Sequence, residues 1–206
     1  MTTFRQQPRN ALSRGTRISA FAVLISGIVL GGGLASSQTH PEPTITFLAK
    51  GYHLGSFNKK SSPMWEFVTA GETAANWTTL VTIIDRQDAH TRQELDRLSE
   101  GVMSHYKSHE GQILLAKTMV DRSGTPFNYM VAAFDQPAKR LYELDFVKVA
   151  LGPQGAYTII YGVRIQDPTD YVGKAKAFLN QRSSQIGKEM ENLRLPEMSA
   201  MPAREF

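Results

Sequence analysis

His105 and His109 stand four residues apart and are followed by Glu110, a spacing that sets two imidazoles on one helical face. A zinc ion needs three or four such ligands. His53 and His90 are isolated in the sequence, so no metal site is expected. A histidine near a helix C-terminus has a plainer use, because its cationic form suits the negative end of the helix dipole. Ser56-Phe57-Asn58-Lys59 and Ser104-His105-Tyr106-Lys107 both fit the S-x-x-K pattern of exported acyl-enzymes. The S-D-N and K-T-G companions that such chemistry requires are missing. No G-x-S-x-G, H-E-x-x-H, phosphate loop or G-x-G-x-x-G occurs after the leader, and no cofactor is expected. Carboxylates are plentiful (Asp85, Asp88, Asp121, Asp135, Glu143, Asp145), and a glycosidase-like pair among them is a hydrolase alternative.

Trp65 and Trp77 begin neighbouring strand-like runs, and Tyr129, Tyr142, Tyr157 and Tyr161 interleave with Phe127, Phe134 and Phe146. Rings of this kind fill cores or, when exposed, stack on ligands and partners. Trp65, Trp77, Tyr129 and Tyr161 are the candidate ligand or partner contacts, with core filling the expectation for the tryptophans. Strand alternation puts Leu141, Glu143, Asp145 and Val147 on one side, and Tyr142, Leu144, Phe146 and Lys148 on the other. The second side is the expected core, so the acidic side is expected to face water. Asn76-Trp77-Thr78 fits a glycosylation acceptor pattern, read as accidental because the leader has a bacterial layout.

The elements that must position these residues are short runs rich in β-branched and aromatic residues. They are Met64–Thr69, Trp77–Asp85, Gln112–Val120, Phe127–Phe134, Arg140–Leu151 and Ala156–Ile165, with a further short strand near Ile45–Ala49. Asp121-Arg122-Ser123-Gly124 and Gly152-Pro153-Gln154-Gly155 supply turns, so residues 112–165 read as an antiparallel meander. Thr91 and Glu94 form a capping box ahead of a stripe of Leu95, Leu98, Val102 and Tyr106. A second helix is expected to be capped by Asp167, with Pro168 in its first turn. Tyr171, Ala175, Phe178, Leu179, Ile186, Met190 and Leu193 form its apolar stripe. Strands clustered in runs point to an α+β fold, an antiparallel sheet of about six strands with two amphipathic helices in the order β-β-α-β-β-β-β-α.

This element order over residues 44–195 resembles the Mog1/PsbP/DcrB-like layout. The stretch from Met64 to Ile83 (MWEFVTAGETAANWTTLVTI) is similar to a segment of uncharacterised exported bacterial proteins. The resemblance implies an assembly or binding role and carries no catalytic residue onto this chain.

The leader sets the environment. Arg5, Arg9, Arg14 and Arg17 precede an apolar run from Ile18 to Leu30, then three glycines and Leu34-Ala35-Ser36-Ser37. This is the layout of a secretory signal peptide over residues 1–37, the alternative being a retained inner-membrane anchor over residues 18–35. Either arrangement places the domain in the periplasm or outside the cell. Residues 38–43 read as a spacer, 44–195 as one domain and 196–206 as a tail. The leader holds four of the 23 Lys and Arg, which leaves 19 against 19 Asp and Glu. A neutral domain has little counterion-release energy to gain on a phosphate backbone, so nucleic acid is excluded as the expected partner. The absence of cysteine excludes a lipoprotein anchor and disulfides. The expected function is an exported, non-enzymatic binding or accessory module with an envelope protein partner or small ligand. The alternatives are an envelope hydrolase or a carrier of a small amphiphile.

Overall fold

A computed structural model of the chain describes residues 43–59 and 62–193. The leader, most of the spacer and the tail named above lie outside the described residues. The chain forms an α+β fold around one antiparallel sheet. Four strands, β1 (Thr44–Phe47), β2 (Lys50–Asn58), β3 (Met64–Val68) and β4 (Thr79–Arg86), lead into helix α1 (Arg92–Ser108). Four more follow, β5 (Gln112–Val120), β6 (Pro126–Gln136), β7 (Leu141–Gly152) and β8 (Gly155–Gln166), before helix α2 (Tyr171–Asn192).

The sheet order is β1-β2-β3-β4-β8-β7-β6-β5, every neighbour antiparallel. Helix α1 carries the chain from central β4 to the far edge, and the 112–165 meander walks back until β8 pairs with β4. The sheet has eight strands rather than about six. The short strand at its start is β1, and β2 is the one the composition hides. Gly51, Gly55 and polar residues give β2 no strand-like run, yet Gly55 is required there. A Cβ at Gly55 would come within 2.9 Å of the Val68 side chain, and the register slips beside it between Leu54 and Ser56.

One face, here called face A, carries the main core and is covered by α2. Phe47, Tyr52, Trp65, Phe67, Val81, Phe127, Tyr129, Phe146, Ile159 and Tyr161 are buried there with Ile186 and Met190 of α2. Phe47 and Tyr161 stack with ring centroids 4.7 Å apart. Their strands are four positions apart, about 19 Å in a flat sheet. The β1–β2 end must therefore curl over face A.

Lys148 is buried on this face as well, where its Nζ donates to Met190 O at 2.9 Å and lies over the Phe127 ring. A cation here meets C-terminal helix carbonyls that have no intrahelical donor. Helix α2 starts later than the sequence suggests. Asp170, not Asp167, is the N-cap and accepts from Gly173 N. Asp167 instead accepts from the amides of Thr169 and Asp170, holding the preceding turn.

Helix α1 lies on the opposite face, face B, over β5, β6 and β7. Its capping box at Thr91 and Glu94 is formed as expected. Leu95, Ser99 and Tyr106 are its buried residues, while Leu98 and Val102 are half-buried. Near its start, Arg92 bonds Thr118 and Asn128, and Asn128 bonds Asp96 and Ser99. At its end Gly111 starts the run into β5, since a Cβ there would stand 2.8 Å from the Phe134 ring.

Candidate functional site

The acidic side of β7 does not face water. Glu143 and Asp145 point to face B, where they are 6% and 5% exposed. Helix α1 covers part of this face, and the loop ending in Trp77 folds over Gly162. The Trp77 ring would lie within 2.9 Å of a Cβ at Gly162. Glu72 ties that loop down by accepting from Thr78 N at 2.9 Å and from the hydroxyls of Thr69 and Thr78.

Between the two covers runs a polar seam. Glu143 pairs with Arg164, its neighbour across β8, at 2.9 Å. The Arg164 guanidinium stacks on Trp77, 3.8 Å from the ring centroid. Asp145 Oδ2 accepts from the buried Tyr106 hydroxyl at 2.9 Å. On β3, buried Glu66 accepts from Ser56 Oγ at 2.5 Å.

Burial dominates the proton affinities. It pushes Asp145 up to about 8, with nearby Glu143 adding to the rise against Tyr106 and Arg164. Burial also raises Glu66, opposed by Ser56 and Arg164, and holds the Tyr106 hydroxyl well above its ordinary range. Burial thus favours the protonated form of Asp145, which lies beside the arginine-paired Glu143. That pairing of states is what acid catalysis uses, but here Tyr106 and Arg164 already engage the two groups, and both are closed off from solvent.

The four candidate contact residues divide between the faces. Trp65, Tyr129 and Tyr161 share the face-A core, and Trp77 lies on face B. All four are buried. Trp65 packs on Phe57 with centroids 5.2 Å apart, and the Tyr129 hydroxyl lies near Gly187 of α2. The Tyr129 hydroxyl and both indole nitrogens find no hydrogen-bond partner among the described residues. The meander aromatics do not make an exposed patch, because each is buried or half-buried. His105 and His109 do stack, with centroids 4.2 Å apart. Burial, then His109, lowers the His105 pKa. Among the described residues no group of three or more His, Cys, Asp or Glu is placed to hold a metal ion. Of the S-x-x-K serines, Ser56 donates to Glu66, and Ser104 is exposed on α1.

A second feature lies at the sheet edge. The large apolar side chains exposed among the described residues are Leu114, Leu115 and Val120, at 44%, 42% and 56%. All three belong to β5, which pairs with β6 on one side and, among the described residues, has no strand on the other. The nine residues of β5 include one charge, Lys117. Natural edges are usually shielded by charges, prolines or shortness; β5 has a bulge near Leu114 and otherwise little such protection.

Glu66 and Arg164 are not singled out by their types or spacing, and the spacing of Tyr106 marks it only as part of the apolar stripe of α1. The available signal was that Glu143 and Asp145 share one strand face with a basic residue opposite in the next strand. No protein-family model matches the chain, and no curated protein matches it.

Proposed function

We propose that this protein is a non-enzymatic assembly module exported to the bacterial envelope, and that it engages other chains through the edge of β5. The observation that carries the reading is the concentration of exposed apolar residues on that one strand. Strand addition to an open edge gains main-chain hydrogen bonds and buries alternate side chains. The signal-peptide layout of residues 1–37 supports export, and the Mog1/PsbP/DcrB-like layout supports an assembly role by analogy of fold. A photo-crosslinking residue placed at Leu115 or Val120 in the intact envelope should give discrete adducts, and one at Thr46 should not. No adduct from β5 in a correctly folded, exported protein would contradict the reading.

The second reading is the hydrolase, favoured by Asp145, whose proton affinity burial raises, beside Glu143 on one strand face. It predicts turnover of envelope carbohydrate or peptide that disappears in Glu143→Gln and Asp145→Asn. The assembly reading predicts none to lose.

A further inference from the structure

We infer that the strand β5 accepts is β5 of a second copy of this chain, joining two eight-stranded sheets across a two-fold axis. The inference rests on the assembly reading above and names its partner.

Length argues for it first. The two edges of the sheet are β1 and β5, of four and nine residues. Head-to-tail pairing of β5 with β1 leaves more than half of β5 bare, including one or more of its exposed apolar residues. Pairing β5 with itself about Ala116, its middle residue, matches the full nine residues and closes the assembly at two copies.

Charge argues the same way. Two-fold antiparallel pairing that keeps both sheets continuous is centred on a residue, and the middle of β5 offers Ala116, Lys117 and Thr118. Centring on Lys117 sets lysine against lysine, which is destabilising. Centring on Ala116 sets Lys117 opposite Leu115, and centring on Thr118 sets Lys117 opposite Met119. Neither opposes like charges, but only the Ala116 centre pairs all nine residues, whereas the Thr118 centre pairs residues 116–120 alone, so the Ala116 register is the expected one. With no acid on β5, nothing in the strand selects a basic partner over itself.

The chain has no cysteine, so a single introduced cysteine can form a disulfide only between copies. Residues directly opposite across a strand pair bring Cβ atoms within about 4.5–5.5 Å, close to disulfide reach. Ala116→Cys and Thr118→Cys in the full exported protein, under mild oxidation, should give disulfide dimers. Ala116→Cys should clearly outrun Thr118→Cys and so report the register. Thr46→Cys on β1 should stay monomeric. Light scattering of the unmodified protein should give twice the chain mass, and Leu115→Lys with Val120→Lys should give the single mass with unchanged circular dichroism.

A well-folded wild-type monomer at all concentrations overturns the inference, as does a dimer that survives both lysines. If the β5 crosslinks described above then join this chain to a different protein, the assembly reading stands without the dimer. If β5 gives neither, both fall.

Discussion

Strands β7 and β5 belong to one sheet and invert the usual relation between polarity and burial. Strand β7 (LYELDFVKVALG) carries Glu143, Asp145 and Lys148, and all three are buried. Strand β5 (QILLAKTMV) is apolar but for Gln112, Lys117 and Thr118, and exposes Leu114, Leu115 and Val120. The ionisable groups of β7 are each engaged by a named group: Glu143 by Arg164, Asp145 by Tyr106, and Lys148 by the last carbonyls of α2. Among the described residues, the outer edge of β5 meets no strand. Burying a charge without a partner costs several kcal/mol, whereas leaving apolar surface in water costs roughly 25 cal/mol per Å². The ionisable groups of β7 are therefore tolerated in the interior because each has a partner, and the uncovered apolar surface is at the rim.

The largest effect should come from breaking the β7 side of this contrast. Arg164→Ala leaves Glu143 buried without its partner and should cost about 3–5 kcal/mol in denaturant unfolding. Glu143→Leu combined with Arg164→Met should recover most of that loss. A single-variant loss no larger than a surface substitution would mean the seam is open to water.

Gly162→Ala should cost about 1–3 kcal/mol by overpacking, because the new methyl meets both the Trp77 ring and the Asp145 carboxylate.

Asp145 gives a pH signature. Unfolded, it titrates near its ordinary value of about 3.9; folded, it holds its proton up to about 8. Between those limits the native state binds a proton that the unfolded state lacks. The contribution is therefore full below about 3.9 and is lost as pH rises toward about 8. Unfolding curves of Asp145→Asn should be flatter than wild type across that window.

The smallest effect should be on the β5 side. Leu115→Lys and Val120→Lys should each shift the stability of the isolated fold by about 0.5 kcal/mol or less, since neither side chain is packed inside it. A larger loss in a monomeric sample would show that β5 is part of the core after all.

Much of this fold was legible because β4 and β6–β8 combine strand-forming residues with clear turn chemistry, and because Thr91 and Glu94 mark the start of α1. Strand β2 was not, since Gly51, Gly55 and its polar residues carry little strand propensity, and of the two glycines only Gly55 answers to a close neighbour, Val68. The cap of α2 was misplaced because Asp167 and Asp170 both accept backbone amides, and only the geometry of the turn separates them. The seam was hidden for a different reason. The partners of Glu143 and Asp145 lie 21 and 39 residues away, so alternation along β7 showed which residues share a side but not what covers it. Buried charges look like solvated ones until the second element arrives.

The proposed use of β5 as an assembly edge is tested most directly by hydrogen exchange read by mass spectrometry on the purified protein. Dilute and concentrated samples should differ across residues 112–120, with protection rising on concentration while β1 stays unchanged. Equal, fast exchange of β5 at every concentration and in the presence of envelope material would contradict it.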